Sequence, residues 1–293
     1  MIQDIGGRRL YNEYTPAAPG PHDRVFTFRD RGEVLLKGEP EEGLAAPPAA
    51  AFEGRRLQYL FRIEQDRYYL DLSCYGEQGR ADGEGLEALL ARGFRWQGIR
   101  TIRQMESKEI AFAAQTAVQL GNWYRDNRFC GRCGGRTRHK EDERALVCPV
   151  CGNTVYPKVM PAVIVALIDR RENRDEDRIL LTKYSGRAYT RYALIAGFTE
   201  IGETAEQTVR REVKEEVGLE VADVTYYATQ PWGIDSDLLL GYVAELKGDA
   251  DVTLDERELS TAEWFTREAL PIEGDDEISL TRNMMWAFKE GRL

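Results

Sequence analysis

No apolar run in this 293-residue chain approaches the roughly 18 residues that suggest a membrane span. The opening stretch, MIQDIGGRRLYNEYTP, lacks the apolar core of a secretory signal. Together these absences set the expectation of a cytoplasmic protein with no membrane partner. Positive charge is in deficit: 40 Lys and Arg stand against 50 Asp and Glu, for a formal net charge of −10. Nucleic-acid phosphates are neutralised by Lys and Arg, so an acidic chain is a poor general binder of nucleic acid, local basic patches aside. Cysteine is scarce as well. Of five in all, four fall within 22 positions, an odd and clustered count that fits a metal site in a reducing compartment and not a disulfide framework.

What is present describes a globular protein, 42% hydrophobic and 31% charged, of about two domains with a small module between them. RVFTFRDRGEVLLKG (24–38) predicts a hairpin, and LQYLFRIEQDRYYLDLSCY (57–75) a second around a polar turn. GEPEEGLAAPPAAAFEG between them reads as an exposed loop. Cys74 stands alone in the second hairpin's strand as a plain core residue. EGLEALLARG predicts a short helix stopped by Gly93, and Ser107 to about Arg125 a longer one with Ile110, Ala113, Ala114, Ala117 and Val118 on one face. After the cysteines, MPAVIVALID is a buried strand, RRENRDED a solvated charged loop, and RILLTKY, YALIAG, VTYYATQ and LLLGYVAEL are further strands. SLTRNMMWAFKEG is a terminal helix stopped by Gly291. The pattern divides the chain into an N-terminal α+β domain with linking helix (1–125), a cysteine module (126–155) and an α/β domain (156–293).

The module is CGRC, fourteen residues, then CPVC: Cys130, Cys133, Cys148 and Cys151. Each CxxC sets two thiolates on one ion from a tight turn, with Gly134 and Gly152 placed where the backbone needs unusual angles. Four thiolates close a tetrahedral site, which suits structural Zn²⁺ rather than catalysis; redox CxxC chemistry and an iron centre are the alternatives. The intervening GGRTRHKEDERALV mixes charge signs, which favours bracing of domains over nucleic-acid binding.

The second constellation is REVKEEVG (211–218), with Glu212, Glu215 and Glu216 at i, i+3, i+4. Like charges at that spacing repel. Thr204 and Gln207 fit a capping box and Gly218 a C-terminal stop, so the helix runs over about 205–217. Val209, Val213 and Val217 form its core stripe, and Glu212 and Glu216 border that stripe instead of opposing it. A merely solvated acidic face would lie opposite, so the spacing leans toward a metal ion. Gly197, Glu203, Arg211–Glu212, Glu215–Glu216 and Gly218–Leu219 together reproduce G-x5-E-x7-R-E-U-x-E-E-x-G-U, where U is aliphatic. That is the signature of the Nudix hydrolases, with no departure at any defined position.

The resemblance implies an α/β/α sandwich with the motif as loop–helix–loop, and hydrolysis of a nucleoside diphosphate linked to another moiety. It implies Mg²⁺ or Mn²⁺ held by Glu212, Glu216 and Glu215, the last also the candidate general base. Arg211 would orient a motif carboxylate, and Glu203 would reach the metals through water. Glu258 in DEREL and the Ala196 carbonyl match further metal contacts. Four cysteines immediately before such a domain, entered by NWYRDNRFCGRCG and left by VYPKVMPAVIVALI, resemble the NADH pyrophosphatase (NAD diphosphatase) family over roughly residues 107–293. That family is generally dimeric, with the partner subunit helping to build the pocket.

The family's second signature, S-Q-P-W-P-F-P-x-S, is matched here by TQPWGIDSD (229–237). Gln230, Pro231 and Trp232 agree; Gly233, Ile234 and Asp235 replace P-F-P, and Asp237 replaces the last Ser. The resemblance places substrate contacts at Phe198, Tyr156, Glu143, Gln230, Pro231, Trp232 and Thr281. The implied reaction is hydrolysis of NADH or NAD⁺ to (reduced) nicotinamide mononucleotide and AMP. Alternatives are another dinucleotide, ADP-ribose or a nucleotide sugar, removal of 5′-NAD caps from RNA, or a zinc-ribbon sensor built on an inactive Nudix fold.

Overall fold

The computed structural model describes residues 1–29, 32–38, 43–75, 86–102, 108–186, 190–272 and 278–293. The chain forms two compact units: residues 2–158 with 232–236, and Met1 with 159–231 and 237–293.

In the first unit, β1 (Leu10–Tyr11), β2 (Arg24–Phe26), β3 (Phe28–Arg29), β4 (Glu33–Lys37), β5 (Leu57–Ile63) and β6 (Asp66–Asp71) precede α1 (Leu86–Ala91), β7 (Phe94–Gly98), α2 (Ile99–Ile102) and α3 (Lys108–Asp126). They build a sheet of order β1-β5-β6-β2 and another of order β3-β4-β7. The second expected hairpin is β5–β6, antiparallel. The first is corrected: only β3 and β4 pair as a hairpin, while β2 lies parallel to β6 in the other sheet. The chain changes sheets at Thr27, which is fully buried and donates through Oγ1 to Asp71 Oδ2 (3.1 Å). Asp71 also holds Arg55 at 2.8 Å, so a buried charge is paired and hydrogen-bonded as burial demands.

Two other expectations change here. The Ala/Pro stretch is not an exposed loop in its described part: Leu44, Ala46, Ala49 and Phe52 are buried, with a 3₁₀ turn at Ala49–Phe52. Cys74 is a core residue, 3% exposed, but sits in a 3₁₀ turn, Leu72–Tyr75. Burial pushes its thiol up to about 12, which leaves it unreactive. Helix α3 buries Ala113, Ala114, Ala117 and Val118 as its periodicity predicts; Ser107, its expected start, lies outside the described residues.

The cysteine module follows as β8 (Arg138–His139), β9 (Leu146–Val147) and β10 (Thr154–Val155), an antiparallel three-stranded sheet. The second unit contains β11 (Met160–Asp169), β12 (Arg178–Tyr184), β13 (Ile195–Phe198), α4 (Ala205–Val217), β14 (Glu220–Trp232), β15 (Asp237–Lys247), β16 (Leu259–Thr266) and α5 (Leu280–Lys289). Its mixed sheet runs β14-β15-β11-β12-β16, with β13 also on β11. The apolar run of β11 is explained by burial on both faces. Val163, Val165 and Leu167 pack in one core with Val209, Val213 and Val217 of α4. Ile164, Ala166 and Ile168 pack in the other with Leu280, Met284, Met285 and Phe288 of α5. This is the α/β/α sandwich. Strand β16 has no counterpart in the expectations above. The charged loop at 170–177 is not merely solvated either: Asp177 is fully buried and anchors Arg170 (3.0 Å) and Arg267 (3.3 Å). Among the described residues no helix is long and apolar enough to cross a membrane.

Candidate active site and metal centre

The four thiols converge as their spacing predicts. All four Sγ atoms lie within 4.8 Å of one another, with Cys130–Cys151 at 3.6 Å and Cys133–Cys148 at 3.5 Å. Zinc–sulfur bonds of ~2.3 Å in a tetrahedron put sulfurs at about this separation. The two turns are copies of each other. Gly134 N–H donates to Cys130 O (2.8 Å) and Gly152 N–H to Cys148 O (2.9 Å), with φ of 72° and 73°, the left-handed region that favours glycine. Arg132 N–H donates to Cys130 Sγ at 3.4 Å. That bond and the Cys133 N–H hold the Cys130 thiol down at about 6, toward the thiolate that binds metal. The residues fit a closed structural zinc.

The carboxylate helix occupies the residues its caps dictate. Thr204 Oγ1 accepts from Gln207 N (3.3 Å) while Gln207 Oε1 accepts from Thr204 N (2.8 Å). Gly218, at φ 74°, returns its N–H to Lys214 O. Burial of the valine stripe, each side chain worth about 1.5–3 kcal/mol, fixes the helix's rotation. That rotation leaves Glu212 8% and Glu216 3% exposed but the Glu215 side chain 59% exposed.

Arg211 organises this acidic surface. Its Nε and Nη2 donate to Glu203 Oε1 (2.7 Å) and Oε2 (3.0 Å). Nη1 donates to Glu212 Oε1 (2.7 Å) and Glu215 Oε2 (2.9 Å), and Nη2 also to Phe198 O (2.9 Å). All five N–H groups of the guanidinium are thereby engaged. The Arg211 fork holds the Glu203 carboxyl at about 2, and Thr208 Oγ1 adds a bond at 2.9 Å. Thr208 escaped the sequence reading; a threonine on the buried side of an otherwise valine-lined face was the signal. Burial pushes Glu212 above the ordinary carboxylate range, Arg211 opposes this, and the charges of Glu215 and Glu258 add to it. That coupling places Glu258 near the cluster, although it comes from the loop before β16.

Gly197 of β13 pairs with Val163 of β11, and a Cβ at position 197 would run into the Glu212 carboxylate. The motif glycine is therefore the space in which a buried carboxylate sits. That cradle and an all-oxygen donor set fit a hard divalent cation. We expect Gly197→Ala to displace Glu212 and lower kcat about 10²-fold, the usual effect of misplacing a reacting group by ~1 Å. Steady-state kinetics alongside circular dichroism would check this; wild-type kcat in a folded variant refutes it. Among the described residues, ligand atoms gather to metal-binding spacing only at the four cysteines; at the glutamates Arg211 stands between neighbours instead.

The remaining expected contacts are distributed as follows. In the first unit, Tyr156 Oη donates to Glu143 Oε1 (3.2 Å), and Lys140 pairs with the same carboxylate. Trp232 Nε1 donates to Asp235 Oδ2 (3.0 Å), and Asp235 pairs with Arg100 at 2.6 Å. Gly233 explains the altered signature: a Cβ there would strike the backbone carbonyl of Gln115 in α3, and Ile234 packs on that unit's core. In the second unit, Phe198 is 51% exposed and Ala196 pairs with Ile164. Pro231 is half-buried near the end of β14, and Thr281 is half-buried in the first turn of α5. Gln230 is fully buried, its amide donating to Ile278 O and accepting from Leu280 N, both at 2.7 Å.

Residues 158–283 match the NUDIX domain, and residues 125–156 match the NADH pyrophosphatase zinc ribbon domain. A protein described as NAD-capped RNA hydrolase NudC from Stutzerimonas stutzeri is 35% identical over 69% of this chain and 74% of its own. Proteins of the same description from Pseudomonas aeruginosa and Vibrio atlanticus are 42% and 38% identical, covering 53% and 54% of this chain and 53% and 56% of their own. With both modules matched in order and the motif carboxylates in place, the chain belongs to the Nudix hydrolases of the NADH pyrophosphatase family.

Proposed function

We propose that the protein hydrolyses the pyrophosphate bond of NADH or NAD⁺, giving (reduced) nicotinamide mononucleotide and AMP. The observation that carries this reading is the carboxylate helix: Glu212 buried against Gly197, with Arg211 locking Glu203, Glu212 and Glu215 in place. Glu212, Glu216, Glu258 and the Ala196 carbonyl would hold Mg²⁺ or Mn²⁺, with Glu215 as a further ligand or the general base. When bound, the cation neutralises phosphate charge and acidifies a coordinated water. Glu215, the exposed member of the set, accepts the water's proton. The water oxygen bonds to one phosphorus, the P–O–P bridge breaks, and the leaving phosphate departs with the bridging oxygen. Glu203 and Arg211 touch no reacting atom in this scheme; they position Glu212 and Glu215.

Phe198, Trp232, Tyr156, Glu143, Gln230, Pro231 and Thr281 serve as substrate-pocket residues on the strength of the family resemblance. Zn²⁺ in the four-cysteine module, a homodimer, a cytoplasmic setting and a division at about 125/126 and 155/156 belong to the same reading. That the similar proteins are described as NAD-capped RNA hydrolases favours a second substrate, the 5′-NAD cap of RNA, with the same bond cleaved.

A panel of NADH, NAD⁺, ADP-ribose, a nucleotide sugar and NAD-capped RNA, each with Mg²⁺ or Mn²⁺, tests the assignment. NADH, NAD⁺ or the capped RNA is expected to show the highest kcat/KM. If ADP-ribose or the nucleotide sugar is cut at least tenfold faster than all three, the substrate assignment fails.

A further inference from the structure

The first unit carries a partly open cavity of about 320 Å³ that the hydrolytic reading does not use. Among the described residues three arginines line it, Arg56, Arg128 and Arg136, together with Ser73, Thr137 and His139, and no carboxylate does. In a chain of net charge −10, a cavity walled by one sign of charge, and that sign positive, is against composition. Two other arginines of this unit, Arg55 and Arg100, are answered by acids, Asp71 and Asp235. Among the described residues the guanidinium groups of Arg56 and Arg136 make no hydrogen bond or ion pair. Gathered like charges cost free energy unless a counter-charge arrives.

The walls are also shaped. Arg128 Nη1 is fixed by donating to Tyr75 O (2.6 Å), and Thr137 Oγ1 by donating to Asn127 O (2.7 Å). His139 is held flat on Tyr124, with ring centroids 4.8 Å apart and planes at 9°. Its Nδ1 is buried and has no partner among the described residues. Burial first, and then the charge of Arg56, lowers its pKa; the positive field of the cavity is thus felt by a residue in its wall. Guanidinium groups match phosphate oxygens geometrically as well as electrostatically. The volume lies at the small end of ligand sites, ~300–1,000 Å³, which is more than a lone ion needs.

We propose that this cavity binds a phosphate monoester of about mononucleotide size, its phosphoryl group held by Arg56 and Arg136. The site stands independently of the hydrolytic assignment, since none of its residues belongs to that machinery.

The test is calorimetric titration of the full-length, zinc-loaded protein in a phosphate-free buffer at low ionic strength, with no other divalent cation added. Inorganic phosphate, AMP and adenosine are the three probes. Saturable binding of phosphate or AMP is expected, with adenosine at least tenfold weaker than AMP. Arg56→Gln and Arg136→Gln should each weaken the phosphate-bearing probes at least tenfold, while kcat for the hydrolytic substrate stays within twofold. Arg136 lies in the cysteine module, so zinc content and circular dichroism accompany it; if it misfolds, Arg56→Gln alone decides. Equal affinity for phosphate and AMP confines recognition to the phosphoryl group, and tighter AMP extends it to the nucleoside; either supports the site. No saturable binding, binding unmoved by Arg56→Gln, or adenosine binding as well as AMP overturns it.

Discussion

Replacing Glu216 with glutamine is expected to lower kcat by about 10²–10³-fold, the scale set by removing one preorganised charge from a reaction centre, while the protein stays folded. Both halves follow from where the residue sits. Glu216 is 3% exposed, beside the buried Val209, Val213 and Val217. Glutamine keeps its volume and leaves that packing intact. It also removes one of three like charges spaced i, i+3, i+4, which relieves repulsion worth a few tenths of a kcal/mol. Thermal stability should therefore hold or rise slightly as activity collapses. An acid kept for stability would behave the other way, losing Tm when neutralised. Retention of more than a tenth of wild-type kcat in a folded Glu216→Gln variant would remove this carboxylate from the mechanism and revive a non-catalytic sensor. The measurements are kcat over a range of Mg²⁺ and Mn²⁺ concentrations and a melting curve for each protein.

The second large effect is expected at the cysteine module. Cys148 is fully buried directly after β9, in a module whose sheet has three two-residue strands, too short to stand alone. Metal binding supplies ~10–16 kcal/mol to isolated zinc modules. Here neighbouring packing shares that load, because Leu146 of β9 belongs to the same core as Trp123 and Tyr124 of α3. Cys148→Ser, or chelation of the wild type, should therefore cost several kcal/mol rather than the full amount, and the loss should spread into α3. Elemental analysis gives the zinc, a melting curve the stability, and hydrogen exchange the extent. Full loss of zinc with an unmoved melting curve would sink the structural role.

What the sequence made legible was whatever short-range chemistry encodes. Helix α4 begins and ends at Ala205 and Val217 because a capping box and a left-handed glycine lie within a few residues of each end. The zinc turns are equally local. Strand β11 was readable from its apolar run, because a strand covered on both faces needs no alternation. Strand β16 was not: its residues LSTAEWFT are half-exposed, and their pairing partner is β12, some eighty positions earlier. The same limit hid the change of sheet at Thr27, which depends on Asp71, and the anchoring of the charged loop through Asp177. Within the site, the glutamates were legible as a set, but their division of labour was not. Arg211, expected to orient one carboxylate, contacts three, Glu203, Glu212 and Glu215.

The full engagement of Arg211 has a consequence for the order of events. A fork with every prong taken has none to extend to an incoming diphosphate. Among the described residues the cation seated among Glu203, Glu212 and Glu215 is spent on the protein's own acids, and the anionic substrate meets a surface of its own sign. Turnover should accordingly follow an ordered sequence: cation first, dinucleotide second. Raising substrate concentration should not compensate for a missing metal.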